Sequence, residues 1–319
     1  MASIGYFLSC EEFTPSQLLE QARLAEAAGF EALWISDHYH PWNDEQGESP
    51  FVWSIVGALA EVCSLPVTTA VTCPTIRTHP AVIAQAVATS AVMHEGRFQL
   101  GVGTGEALNE HILGDAWPSI DTRLEMLEEA VEVMRRLWEG GFVTTRGRHY
   151  TVDHARIYTL PEQPPPVYVS GFGPKAIELA GRIGDGYVGT SPDADLLERF
   201  RKAGGAGKPT QGGFKVCYAD DESTAVKTAH RLWANSGLPG ELAQVLPSPK
   251  HFEQASQLVT EETIADAVAC GPDAGKHIEQ ARSFIDAGYD EIYVANMGPH
   301  YQGCIDLWRD EVLPELRSR

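Results

Sequence analysis

The chain has 319 residues and sets 24 Lys and Arg against 44 Asp and Glu, a formal net charge of −20. That charge disfavours nucleic acid and anionic membrane as partners, because both need basic patches, although a few local donors can still hold an anionic small molecule. With 43% hydrophobic residues a sizeable core is available, and no apolar run approaches the roughly 20 residues of a bilayer span. Neither a basic start nor an apolar signal core precedes Ile4, Tyr6 and Leu8, so a cytoplasmic protein is expected. The cysteines at 10, 63, 73, 217, 270 and 304 form no CxxC pair, which argues against a disulfide framework or a structural zinc site. No metal is expected.

In chain order, short strand patterns alternate with helical ones. Ile4, Tyr6 and Leu8 read as a first strand, and Thr14-Pro15-Ser16-Gln17 is a capping box with Pro at the first helical position. Gly29 closes that helix, and residues 32–35 form the next strand. A strand over 67–72 follows, then a helix opened by Pro80 and a strand over 98–103. Leu124, Leu127, Val131, Met134 and Trp138 recur at helical spacing, and residues 144–152 look like a small hairpin. Further strands are expected at 167–170, 186–189, 214–218 and 291–295, with helices starting at Pro174, Asp193, Gln302 and near Glu222. About eight βα units predict one α/β domain over 1–319, a closed (β/α)8 barrel; a doubly wound sheet is the alternative. Residues 235–260, rich in Pro, Ser and Gln, read as an insertion over the barrel mouth.

Catalytic groups collect at the C-terminal ends of barrel strands, where Glu11, His38, Cys73, Glu106, Gly171 and Thr190 all fall. Two segments stand out. Gly101-Val102-Gly103-Thr104-Gly105-Glu106 follows a strand, and its alternate glycines would let a flat or anionic ligand approach the main chain. Ser36-Asp37-His38-Tyr39-His40-Pro41-Trp42 follows another, with Asp37 placed to orient His38 as a general base and Trp42 as an aromatic wall. His38 reads otherwise as a structural histidine, and His40 is the weaker catalytic candidate, its other reading a residue that only lines the entrance on the substrate side with Thr190 and Asp193. Glu106 is either an acid at a helix N-terminus or a proton holder, and Glu11 has the same two readings. Asn109 shares a helix face with Glu106 and could donate to a heteroaromatic ring. Gly171-Phe172-Gly173-Pro174 turns into a helix whose amides could hold a phosphate, or is a plain αβ corner. No GxSxG elbow or HExxH motif is present, and GxGxG after the fourth strand weakens a nicotinamide-binding reading.

Ser36-Asp37-His38 with Pro41-Trp42, Pro74-Thr75-Ile76-Arg77, His79 to Ala86, the block Gly101 to Glu110, Ala180-Gly181-Arg182, Gly184-Asp185-Gly186 and Thr190-Ser191 resemble the deazaflavin (coenzyme F420)-dependent glucose-6-phosphate dehydrogenase group of the luciferase-like superfamily. The resemblance covers nearly the whole chain and is loose between 197 and 260. It implies hydride transfer from an alcohol to the deazaflavin in a homodimer. His38 would be the base, Trp42 would stabilise the intermediate, and Glu106, with Glu11, would manage the proton at the ring. Asp37, Cys73 (often Thr in the family), Thr104, Gly105, Asn109, Phe172, Gly173 and Lys175 fall at cofactor positions. Ala70-Val71 matches a non-prolyl cis bond against the ring. Phe172 replaces a glycine and Lys175 a small residue.

The match fails at the phosphate clamp of the family's sugar-phosphate enzymes, built from a threonine, two lysines and an arginine. Thr190 survives, but Asp193 stands at the first lysine, Gln254 at the second, and residues 265–269 offer no arginine. An aspartate beside a dianion repels it, so the expected substrate is an alcohol or sugar other than glucose-6-phosphate. Three readings compete: a sugar-phosphate enzyme with a clamp rebuilt from Lys215 or Lys250, an FMN-dependent monooxygenase of the same superfamily, and a cofactor-binding protein without turnover.

Overall fold

The structure is a computed structural model that describes residues 2–318. Its first strand shows how the barrel is built. In β1 (Ser3–Leu8), Ile4, Tyr6 and Leu8 face outward, where the Tyr6 hydroxyl donates to Gln21 at 2.9 Å in α1 (Pro15–Ala28). Gly5 and Phe7 face the axis. The expected capping box is present at Thr14 and Gln17, and Gly29 closes the helix at φ 90°.

Following β1 come β2 (Leu33–Ile35), α2 (Val52–Val62), β3 (Val67–Thr69), α3 (Pro80–Met93) and β4 (Phe98–Val102). The short α4 (Ala107–Glu110) and long α5 (Ile120–Trp138) precede the antiparallel hairpin β5 (Val143–Arg146) and β6 (Thr151–Ala155). The second half contains β7 (Val167–Ser170), α6 (Pro174–Ile183), β8 (Gly186–Gly189), α7 (Ala194–Phe200), β9 (Thr210–Cys217) and α8 (Glu222–Trp233). Then follow α9 (Leu242–Val245), α10 (Pro249–Ser256), α11 (Glu261–Ala267), β10 (Ala269–Cys270), α12 (Ala274–Ala287), β11 (Glu291–Asn296), α13 (Tyr301–Leu307) and α14 (Leu313–Arg317).

Eight parallel strands close a ring in the order β1-β2-β3-β4-β7-β8-β9-β11, with β11 paired back to β1. The alternating units therefore form the closed barrel and not an open doubly wound sheet. Two-residue β10 pairs with the upper part of β9, above the point where β8 leaves it. The barrel axis is filled by large rings set against glycines. Trp34 stacks on Tyr293 at 4.4 Å, and a Cβ at Gly213, Gly5 or Gly186 would strike Trp34, Tyr293 or Tyr168 respectively. Trp34 also donates its indole N–H to Gln211 across the barrel at 2.9 Å.

Most sequence expectations match within a residue or two; β9 starts at Thr210, four residues before the strand expected at 214–218, and three other elements differ. The strand expected over 67–72 ends at Thr69; a cis Ala70–Val71 peptide follows, as the resemblance implied, and Thr72 rejoins the sheet by one bridge to Val102. Helix α2 escaped notice because it is apolar along most of its length and its N-cap, Phe51, makes no side-chain cap. Helix α12 carried legible signals, an Asp273 cap and a left-handed Gly288, that were not read. The 235–260 segment holds α9 and α10, which pack over the loops at the barrel mouth: Arg123 of α5 donates to Gln244 at 3.1 Å, and Asp44 N–H donates to Glu253 at 3.1 Å.

Candidate active site

His38 leaves the end of β2 and meets groups from two neighbouring strand ends. Its Nε2 lies 3.4 Å from Glu11 Oε1, beyond β1, and the other Glu11 oxygen accepts the Ser36 hydroxyl at 2.6 Å. Burial alone would raise the Glu11 carboxyl, but His38, Lys215 and the Ser36 hydroxyl together hold it below its ordinary value. Trp42 packs beside the imidazole with ring centres 5.0 Å apart, and Phe252 of α10 meets Trp42 edge-on at the same distance. Helix α10 thus caps the aromatic wall.

Asn109 connects this wall to the opposite one. Its Oδ1 accepts the Tyr39 and His40 backbone N–H groups at 2.9 and 3.1 Å. That fixes the amide, so Nδ2 points at His38 Nδ1 (3.1 Å) and Glu106 Oε2 (3.4 Å). In this arrangement Nδ1 accepts and the ring proton sits on Nε2, facing Glu11; the tautomer follows from the hydrogen-bond network. If the Asn109 amide turns away, Nδ1–H can donate to the His40 carbonyl at 3.2 Å and Nε2 becomes a free base.

Asp37 does not orient His38. It is buried with its oxygens committed elsewhere: Thr72 donates to Oδ2 at 2.9 Å and Arg77 to Oδ1 at 2.8 Å. Arg77 also donates its backbone N–H to Glu110 at 2.8 Å, and burial pushes the Glu110 carboxyl up to about 7 despite that cation. Beyond the end of β2, Asp37 meets Thr72 and Arg77 on the β3 side, whereas His38 meets Glu11 on the β1 side.

The glycine run also has a use inside the fold that the sequence did not show. A Cβ at Gly101 would collide with the Thr69 carbonyl, one at Gly103 with Val71, and one at Gly105 with the Cys73 sulfur. The glycines make room for the chain's own β3 segment. Cys73 is accordingly buried against Gly105, its thiol pushed up by burial and held to Thr75 at 2.9 Å.

A cleft of about 560 Å³ opens beside these groups, in the range of small-ligand sites. Val71 floors it, residues 103–106 form one side, residues 170–176 form the other, and Gly240, Glu241 and Gln244 overhang it. Thr104, Gly105, Glu106, Phe172, Gly173 and Lys175 therefore line one space. Phe172 is 52% exposed at its rim, and Lys175 pairs with Asp121 at 2.6 Å. Gly173 is the N-cap of α6, with nothing within 4 Å of the position its Cβ would take.

The outer candidates disperse. His40 Nδ1 lies 2.9 Å from the Leu108 carbonyl, fastening its loop to α4. Asp193 caps α7, accepting the Asp195 and Leu196 N–H groups at 2.9 and 3.2 Å. Thr190, Lys250 and Gln254 are exposed. The sequence reading passed over Glu12 and Trp233, whose indole N–H donates to Glu12 at 2.7 Å. Burial raises Glu12 to about 7. The one legible hint was the Glu11-Glu12 pair at a strand end.

The family profile described as luciferase-like monooxygenase matches residues 3–291. The chain belongs to the luciferase-like family. It is 37% identical to an F420-dependent glucose-6-phosphate dehydrogenase of Microbacterium testaceum, over 99% of this chain and 97% of that protein. It is 36% identical to an F420-dependent hydroxymycolic acid dehydrogenase of Mycobacterium tuberculosis, over 98% and 88% of the two chains. An F420-dependent secondary alcohol dehydrogenase, solved with an F420–acetone adduct, superposes with a TM-score of 0.92 at 33% identity, over 99% of each chain. The family expectation is correct.

Proposed function

We propose that this protein is a coenzyme F420-dependent dehydrogenase that oxidises an uncharged alcohol or sugar hydroxyl, and that glucose-6-phosphate is not its best substrate. The observation carrying the reading is the single amide of Asn109 holding a His38–Glu11 pair on one wall and Glu106 on the other, beside the cleft. Val71, Thr104, Gly105, Ser170 and Phe172 give that cleft an apolar floor with a few polar groups, which suits a flat ring. The start of α6 offers the backbone N–H groups of Gly173, Lys175 and Ala176 to an anionic tail, Pro174 having none. When bound, the deazaflavin supplies the hydride acceptor.

The chain's own residues handle the proton and the geometry. Once the Asn109 amide releases Nδ1 and the ring proton moves there to face the His40 carbonyl, His38 Nε2 takes the substrate's hydroxyl proton, and ionised Glu11 stabilises the imidazolium. Trp42 and Phe252 wall off water. Glu106, across the cleft, holds or gives a proton. Against a phosphate stand Asp193 and Gln254 at the two positions where the family's sugar-phosphate enzymes carry lysines. Lys250 is exposed on α10 and Lys215 lies inside the barrel, which does not suit a rebuilt clamp at Thr190.

Fluorescence titration of the purified protein with coenzyme F420 and with FMN separates this reading from an FMN-dependent monooxygenase. Deazaflavin reduction by a panel of neutral alcohols and glucose-6-phosphate then tests the substrate class; preference for glucose-6-phosphate would refute it. A homodimer remains part of the proposal, supported by exposed Val82, Val92 and Met93 on α3 and Phe51 before α2. Light scattering of the eluted protein checks it. No helix among the described residues is long and apolar enough to cross a membrane.

A further inference from the structure

Among the described residues, Lys215 is the cation whose charge Glu11 and Glu12 both feel, close to His38. On β9 its neighbour Phe214 faces outward, packing on Phe284 and Trp308, so strand alternation turns Lys215 to the barrel axis. There Glu11 and Glu12, beyond the end of β1, both act on its charge. The ammonium lies 3.0 Å from the centre of the Trp233 ring, and Trp233 is itself held by Glu12. Yet the ammonium makes no ion pair or hydrogen bond among the described residues, while Glu11 spends its oxygens on His38 and Ser36. Although it springs from the middle of the barrel, Lys215 is only half-buried, so part of it faces an open space.

An ammonium has three donors and no acceptor, and leaving them unmet inside a protein is costly. The ring face of Trp233 attracts the charge but accepts no strong hydrogen bond. Because the ammonium is open to the mouth, its acceptor there is water or an oxygen of the molecule that displaces it. Because Lys215 and His38 flank the same Glu11 carboxylate, an oxygen on the ammonium sits close to the hydroxyl that His38 deprotonates. A second anion would meet Glu11 and Glu12, so a neutral oxygen fits better than a carboxylate or a phosphate.

Building on the dehydrogenase reading above, we propose that Lys215 binds a second, uncharged oxygen of the substrate, next to the reacting carbinol. The preferred substrates are then polyols and sugars, ahead of simple alcohols and hydroxy acids.

Three probes share one reacting carbinol and differ only in the neighbouring group: propane-1,2-diol, propan-2-ol and lactate. Wild-type kcat/KM is expected to favour the diol over the other two by tenfold or more. Lys215→Met keeps the stem and removes the donors. It should bring the diol to propan-2-ol ratio close to one, mainly through the KM of the diol, while coenzyme F420 still quenches fluorescence on binding. Lys215→Arg, which keeps donors, should retain part of the preference and covers the case in which Lys215→Met fails to fold. Equal loss for both alcohols in Lys215→Met would overturn the proposal and make Lys215 a residue that only balances Glu11. A wild type that prefers lactate, or treats the diol and propan-2-ol alike, also overturns it. If F420 binds but none of the three is oxidised, the Lys215 assignment fails while the cofactor reading stands. If F420 does not bind, the proposed function itself fails.

Discussion

Two clusters flank the end of β2, each built from two carboxylates and a cation, and they behave in opposite ways. In the outer one, Arg77 reaches both acids directly: 2.8 Å to Asp37 through its guanidinium and 2.8 Å to Glu110 through its backbone N–H. Thr72 satisfies the remaining Asp37 oxygen. In the inner one, Lys215 pairs with neither Glu11 nor Glu12, and Glu11 turns to a histidine instead. The outer cluster ties its cation to both acids and reads as scaffolding, whereas the inner one leaves its ammonium without an acid partner among the described residues, as an arrangement for a molecule that comes and goes would. Asp37 and His38 are adjacent in the chain yet belong to different clusters.

The largest expected effect breaks the outer cluster. Arg77→Met strands two acids in the interior and should cost roughly 3–5 kcal/mol of stability, read from urea unfolding. Little or no loss would mean that the two acids are not ionised together and that the cluster is not held by charge.

His38→Ala strikes the inner cluster with the reverse signature. Turnover should fall about 100-fold or more, as loss of a general base predicts, with the urea midpoint and F420 affinity nearly unchanged. Turnover within a few-fold of wild type would remove His38 from the mechanism.

Acidity sharpens the comparison, because each cluster contains one raised carboxyl. Glu110 and Glu12 both stand at about 7, pushed there first by burial. Such an acid keeps its proton in the folded chain after the unfolded chain has lost it. Its stabilising share is therefore full below the ordinary carboxylate range and lost as pH rises through about 7. Stability should decline between roughly pH 5 and 8, and Glu110→Gln should flatten roughly 1–3 kcal/mol of that decline. An unaltered pH profile in the variant would show that Glu110 titrates at its ordinary value.

The smallest effect is at the rim. Asp193→Asn keeps a capping oxygen for α7 and removes the charge, so kcat/KM for a sugar phosphate should rise a few-fold and that for a neutral alcohol should change little. Asp193→Lys adds attraction but gives up the cap, at about 1 kcal/mol of stability. No change in the sugar-phosphate rate with either variant would place the substrate's far end away from α7.

Local signals determined much of this protein. The capping box at Thr14, Pro80 and Pro174 at first helical positions, and the strand-helix alternation are encoded over a few residues each, and they sufficed for a closed barrel with Glu11, His38 and Glu106 on one rim. Motif wording from 36 to 42 and 101 to 110 sufficed for the family. What a side chain faces was not written locally. Glu11, not Asp37, meets His38 because β1 borders β2 on one side and β3, with Thr72 and Arg77, borders it on the other. The glycines at 101, 103 and 105 were legible as a run, but their purpose depends on Thr69, Val71 and Cys73 of the adjacent strand segment. Lys215 and Trp233, far from Glu11 and Glu12 in the chain, come beside these acids only after the ring closes between β9, β11 and β1. Periodicity and turn chemistry act over a few residues, whereas the partner of a buried charge is chosen by which strands lie side by side.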